Sequence, residues 1–293
     1  MAYGNVKPGY IGIVKSLGSV ENIRCTSFSV GPKQNYLFYN HVVGLRDGNY
    51  NEDNGKGPID EGSDSGNIQR RICRPGTFVA SGGMSFPLSK ENFDVYKYAK
   101  GADSFDLDYV YYCGGGRTFK DCRINSYELG ITAGGEVEIN TEISGMSVED
   151  TDTSVNFTDA EKLVTWDNVR VTIDTGVEFT IDADMLNAVN FRINNNVNPI
   201  YVSGDPSGGG YPLAPVALRV GMQEVSGTVS FYSFKGGGNN IPIDAGLGNI
   251  RIDINDVGSI GTPAMFEVIN PQGSVGPVIT TITFVGVDKL DNI

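Results

Sequence analysis

A phrase that occurs twice, once in each half, constrains this chain more than any other feature. Arg74-Pro-Gly76-Thr-Phe-Val-Ala-Ser81-Gly82-Gly-Met-Ser85-Phe86 and Arg219-Val-Gly221-Met-Gln-Glu-Val-Ser226-Gly227-Thr-Val-Ser230-Phe231 agree at Arg, Gly, Ser, Gly, Ser and Phe with the same internal spacing. The copies lie 145 positions apart, close to half of the 293 residues, and average residue usage rarely produces such agreement. The spacing predicts a tandem duplication. Upstream, Thr26-Ser-Phe28-Ser-Val30 and Val189-Asn-Phe191-Arg-Ile193 share a strand pattern at a separation of 163, which predicts an extra loop of 18 residues in the first copy.

A chain of 293 residues has room for two domains of about 150 residues, each able to bury a core. The expected division is 1–147 and 148–293, because residues 147–159 are polar and acidic, with Glu149, Asp150, Asp152 and Asp159, and offer little to a core. The 39 glycines, 14 tyrosines and 14 phenylalanines describe short strands joined by tight turns, so the fold class is mainly β. One α-helix is predicted over about 89–100: Ser89 caps it, Glu91 sits in its first turn, Phe93, Val95, Tyr96, Tyr98 and Ala99 give an apolar face, and Gly101 ends it. The matching place in the second copy, Gly236-Gly-Gly-Asn-Asn240, does not support a helix.

Residues 126–144 read as a hairpin. Tyr127, Leu129 and Ile131, then Val137, Ile139, Thr141 and Ile143, form one face on either side of an Ala133-Gly-Gly135 turn, while Glu128, Glu136, Glu138, Asn140 and Glu142 form a wet, acidic one. Further strands are expected at 169–173, 177–181, 191–193, 216–220, 225–231, 250–254 and 278–285. The stretch 46–66 differs in kind: Asp47, Glu52, Asp53, Asp60, Glu61 and Asp64 stand among glycines with almost nothing apolar, so it is a long loop that cannot fold onto a core. Its counterpart over 203–215, with Asp205 and Tyr211, is shorter and equally rich in glycine, and both follow a Phe-bearing strand and precede the Arg-x-Gly strand.

The net charge of −13 argues against a surface that grips phosphates, while a surface along which DNA slides is compatible with it. His41 is the only histidine, so no Ser-His-Asp triad can form, and no nucleotide-binding glycine loop is present. Cys25, Cys73, Cys113 and Cys122 form no Cys-x-x-Cys pair, which leaves zinc without a ligand set; the cysteines read as buried thiols, with a Cys113–Cys122 disulfide as the second option. Asp47, Asn49 and Asn51 begin like a calcium loop, but Glu52 and Pro58 stand where that loop needs Gly and Glu. Neither a metal nor a cofactor is expected, and no residue reads as catalytic. No charged-then-apolar leader and no long apolar run appears, so no membrane association is expected.

With the duplication, the single helix and the paired loops in view, the chain resembles the phage tail tube (major tail protein) family. The likeness is carried by Asn187-Ala-Val-Asn-Phe-Arg-Ile-Asn-Asn-Asn-Val197, by Leu218 to Phe231, by Ile23 to Phe28, and by Phe78 to Phe86 before the helix. The resemblance implies two tandem antiparallel β-sandwich or barrel-like tube domains with a flanking helix, departing from the family in the missing second helix. It implies a structural, non-enzymatic virion protein, assembled in the host cytoplasm, whose stacked rings form the hollow tube through which double-stranded DNA passes. Its partners would be itself, a tape measure protein, a tail terminator and distal tail or baseplate proteins. Two domains per chain imply three chains per pseudo-sixfold ring, with six chains as the alternative. Arg46, Asp47, Glu52, Asp53, Asp60, Glu61, Asp64, Asp205 and Tyr211 become candidate contacts between rings, and Glu128, Glu136, Glu138 and Glu142 candidate lumen residues. A monomeric surface or secreted β-sandwich that binds a ligand is the rival reading.

Overall fold

The computed structural model describes residues 10–42, 69–111, 115–151, 162–201, 214–233, 246–269 and 278–287. The first half contains β1 (Gly12–Leu17), β2 (Val20–Cys25), β3 (Ser27–Phe28), β4 (Gly31–Val42), β5 (Gln69–Pro87), α1 (Val95–Gly101), β6 (Phe105–Tyr111), β7 (Gly116–Thr132), β8 (Glu138–Gly145) and β9 (Ser147–Asp150). The second contains β10 (Val169–Asp174), β11 (Glu178–Ile181), β12 (Leu186–Asn194), β13 (Asn198–Ile200), β14 (Ala217–Arg219), β15 (Glu224–Ser233), β16 (Gly246–Ile254), β17 (Gly258–Ile269) and β18 (Val278–Gly286). The chain is mainly β, and among the described residues every pairing between strands is antiparallel and no barrel closes.

Strand order repeats between the halves. The first half is laid out β4–β5–β8–β7–β6–β1–β2, with β3 leading into β4 on the same side of β5. The second is β12–β15–β18–β17–β16–β10–β11, the same path in the same chain order. The halves join where β12 pairs with β7, from Asn194 opposite Ser126 to Ala188 opposite Thr132.

Register places the echo more finely than sequence could. Ser81 pairs with Gly31 and Ser226 with Arg192, and Met84 pairs with Phe28 as Val229 pairs with Val189. If the phrase strands correspond at 145, the strands beside them correspond at 161. The same separations carry Leu37–Arg74, Phe38–Cys73 and Tyr39–Ile72 onto Asn198–Arg219, Pro199–Leu218 and Ile200–Ala217 without a slip. The sequence expectation of 163 is therefore corrected to 161, and the extra loop from 18 residues to 16. A slip of two residues leaves every strand side chain on its own face, so alternation alone could not detect it.

The alternating apolar residues of these strands meet in one continuous core. Tyr127, Leu129, Ile139 and Ile143 of the first half and Phe191, Val229, Phe231, Ile282 and Phe284 of the second are all buried. Ring contacts run unbroken across the junction: Tyr127 to Tyr96 at 5.9 Å, Tyr96 to Phe191 at 6.5 Å, Phe191 to Phe284 at 6.1 Å and Phe284 to Phe266 at 6.4 Å. Tyr96, on α1, is the link, so the helix plugs the core rather than standing beside it.

The helix itself is shorter than expected. Ser89 is held in a bridge to Leu163, while its N–H donates to Asn92 Oδ1 and its Oγ accepts from the Asn92 N–H, so residues 90–94 turn without forming an α-helix. Glu91 lies outside the helix, Gly101 lies inside it, and Ala102 ends it in the left-handed conformation, φ 51°. The 126–144 hairpin forms as expected, with Gly134 at φ 79° in its turn. Strands β1, β2, β6, β9, β13 and β17 were not expected; β17 runs through Gly258, Gly261 and Pro263.

Candidate functional site

Eight strands, β4–β5–β8–β7–β12–β15–β18–β17, lie side by side, and their face away from the core is mostly polar, turning apolar at the β18–β17 end where Val285 and Met265 are exposed. One row of directly paired residues crosses all of it: Ser27 of β3, then Ser85, Asn140, Glu128, Arg192, Ser226, Val285 and Met265. A parallel row runs Glu138, Gly130, Asn190, Thr228, Thr283 and Glu267. Hydroxyl and amide side chains make up half of each row, four of eight in the first and three of six in the second.

Side-chain hydrogen bonds tie it laterally. Ser27 Oγ donates to Ser85 Oγ at 3.0 Å and Ser85 Oγ to Asn140 Oδ1 at 2.6 Å; Asn190 Nδ2 donates to Glu128 Oε1; Ser230 and Thr281 share a bond of 3.1 Å. The bonds at Glu128–Asn190 and Ser230–Thr281 bridge neighbouring strands in the manner of cross-strand pairs that each contribute up to about 1 kcal/mol. Glu138, Glu142, Glu224 and Glu267 are exposed and Glu128 is half-buried, against Lys33, Arg123 and Arg192, so the face carries an excess of negative charge. Of the four acids predicted to share a face, Glu128, Glu138 and Glu142 lie on this sheet. Glu136 precedes β8, exposed, with its backbone bridged to Thr165.

The junction between the halves is locked by amides whose role no local sequence pattern announced. Asn195 is fully buried, and its Nδ2 donates to the Ala99 carbonyl at 2.8 Å and the Ile124 carbonyl at 2.9 Å. Gln223 Nε2 donates to the carbonyls of Ala99 and Lys100 and to Asn195 Oδ1 at 2.7 Å. The last carbonyls of a helix have no partners inside it; here the second half supplies them to the first. Asn125 answers from β7, its Oδ1 accepting the Val197 N–H at 2.8 Å.

The predicted loop contacts Arg46, Asp47, Glu52, Asp53, Asp60, Glu61 and Asp64, with Asp205 and Tyr211, lie outside the described residues. The strands that carry them are described: the long β4–β5 hairpin leads to one loop and the short β13–β14 hairpin to the other, at corresponding positions. Cys122 is a buried free thiol, which overturns the Cys113–Cys122 disulfide option; burial, with Asp106 and Asp121 nearby, pushes it well above the ordinary thiol range. Burial also pushes the Tyr127 hydroxyl up, and among the described residues it has no hydrogen-bond partner. Among the described residues no group of three or more His, Cys, Asp or Glu is placed to hold a metal ion, and no helix is long and apolar enough to cross a membrane.

The family model described as phage tail tube protein matches residues 55–233, more than half of the chain and both copies of the repeated phrase. No curated protein matches the chain.

Proposed function

The chain belongs to the phage tail tube family, and from that premise we propose that it forms rings of three chains which stack into a hollow tube for DNA passage. Its structural role and its place in the virion tail follow from the family, as does association with itself and with other tail proteins. The observation that carries the finer reading is the open eight-stranded sheet whose outer face is mostly polar. Eight strands closed on themselves have an interior filled by side chains, whereas three copies would supply about 24, beyond the 16–18 that already leave an aqueous channel. Sheet edges left open are also an aggregation hazard, and a ring removes them by pairing each with a neighbour.

In this reading the halves, divided between the end of β9 and the start of β10, are two tube domains, and the polar face lines the lumen. A duplex carries one negative charge per about 1.7 Å of axis, so hydroxyls, amides and the carboxylates of Glu128, Glu138 and Glu142 would let it slide where clustered lysines would hold it. The loops 46–66 and 203–215 contact the adjacent ring, which supplies the partner that long polar segments need to become ordered.

Electron microscopy of the purified protein tests the assembly: stacked hollow rings are expected, and monomers under every assembly condition would contradict it. Glu128, Glu138 and Glu142 changed together to Lys should still give tubes but slow DNA ejection; ejection at the unaltered rate would remove these residues from the lumen. Replacing residues 47–65 by a short Gly/Ser linker should leave rings that do not stack.

A further inference from the structure

The seam between the two halves is a template for the seam between two chains. β6 and β9 flank the same residues of β7, and so do β8 and β12; since β8 runs on into β9, β12 lies on the edge of β7 that β6 leaves free. The corresponding strand, β17, is arranged alike. β16 and β18 lie on its opposite edges at Ala264, Met265 and Phe266, but the described part of β16 begins at Gly246, opposite Phe266, whereas β18 pairs on as far as Ile269. Among the described residues, then, Glu267, Val268 and Ile269 present a ladder edge that no strand fills. At the other end of the sheet, β4 corresponds to β12 and has β5 on one edge only among the described residues.

We propose that the free edge of β17 receives the outer edge of β4 from a second copy of this chain, head to tail, repeating the β7–β12 pairing. The register follows without adjustment. The β7–β8 hairpin maps onto β17–β18 at a separation of 141, because Ser81 pairs with Ser144 as Ser226 pairs with Val285, and Glu142 with Ser126 as Thr283 with Glu267. The internal pairs Asn194–Ser126, Ile193–Tyr127 and Arg192–Glu128 therefore become Lys33–Glu267, Pro32–Val268 and Gly31–Ile269 between chains.

Two features that this register did not use agree with it. Lys33 and Glu267 are both exposed, neither forms an ion pair within the chain among the described residues, and the register sets them directly opposite, as it sets Arg192 opposite Glu128 inside the chain. Leu247, Met265 and Val285, side by side on β16, β17 and β18, are exposed by 45, 55 and 54 % beside this edge, an apolar patch that an arriving strand end would cover. Pro32 occupies the outer strand of the free chain, where sheets tolerate proline, and withholds at most one donor from the seam.

The inference rests on the ring reading but fails separately from it. Chains carrying Lys33→Cys are mixed with chains carrying Glu267→Cys, assembled and oxidised. Opposed residues of an antiparallel pair have Cα atoms about 4.5–5.5 Å apart, within disulfide range. A covalent two-chain product is expected from the mixture and from neither variant alone, with much less from Lys33→Cys mixed with Ile269→Cys. Lys33→Glu should cut ring yield at least about tenfold by opposing like charges, and adding Glu267→Lys should restore it. Rings visible by microscopy without the Lys33–Glu267 crosslink, or a charge exchange that restores nothing, would overturn the seam and leave the ring standing; no rings from the unaltered chain would overturn both.

Discussion

If the halves are copies, the two glycines at the same place in each phrase should fail in the same way. A Cβ built on Gly82 would lie 2.3 Å from the Ser29 carbonyl oxygen, and one on Gly227 would lie 2.2 Å from that of Asn190. Ser29 and Asn190 are 161 positions apart, the separation fixed by strand register. Both obstacles are backbone, and contacts under 3.0 Å are not tolerated, so Ala at either site must push neighbouring strands apart by roughly 1 Å in a ladder spaced at about 4.8 Å. Such overpacking costs about 1–3 kcal/mol. Alanine returns about 0.4–1 kcal/mol by restricting the unfolded chain, leaving a net loss centred on about 1.3 kcal/mol, and at most about 2.6 kcal/mol, at each site. At about 2–4 °C per kcal/mol for a chain of this order of size, each variant should melt about 3–5 °C lower at that centre. The sites are four strands apart across the sheet, about 19 Å, so the double variant should lose the sum. Gly130→Ala is the control, because its Cβ would meet only the Glu138 carbonyl at 3.8 Å. Thermal and urea melts of the four variants decide it: Gly82→Ala or Gly227→Ala as stable as Gly130→Ala would refute the close approach and the correspondence drawn from it.

Asn195→Leu should destabilise the chain by about 2–4 kcal/mol in urea, because it leaves the Ile124 carbonyl buried without its donor, weakens the cap on α1 and strips Gln223 of an acceptor. A loss below about 0.5 kcal/mol would mean that these amides do not lock the halves. Tyr127→Phe should be neutral or stabilising by up to about 1 kcal/mol, since it removes a fully buried hydroxyl without a partner among the described residues; a loss above about 1 kcal/mol would show that the hydroxyl is bonded after all.

Much of the architecture was legible in the sequence because it rests on period-two alternation and glycine turns. Tyr127, Leu129 and Ile131 announce their hairpin, and the Ser-Gly-x-x-Ser-Phe phrase marks the strand that stands beside the Phe-bearing strand in both halves. Where the signal was local but the cause tertiary, it misled. Ser89 carries the chemistry of a helix cap yet is held in a bridge to Leu163, distant in sequence, and the helix starts later. β17 was hidden because Gly258, Gly261 and Pro263 carry turn chemistry; the Cβ position of Gly258 is filled by the Phe93 ring, a contact that only the fold creates. The lock residues Asn195 and Gln223 lie within the segments that carry the family likeness, but nothing local marked them as a lock, since an amide that satisfies a remote helix end looks like any other amide. The acidic hairpin face was readable as a face, but its continuation across eight strands depends on β12 pairing with β7, which no local pattern encodes.

The central claim is that three chains, each supplying eight strands, close one polar-lined ring. A cryo-electron microscopy map of assembled tubes tests it most directly, by counting chains per ring and tracing the inner sheet. The account predicts three chains, a continuous wall in which β17 of each chain meets β4 of the next, and Glu128, Glu138 and Glu142 facing the lumen. Six chains per ring, or an inner wall built from the face that carries Tyr127, Phe191 and Phe284, would contradict it.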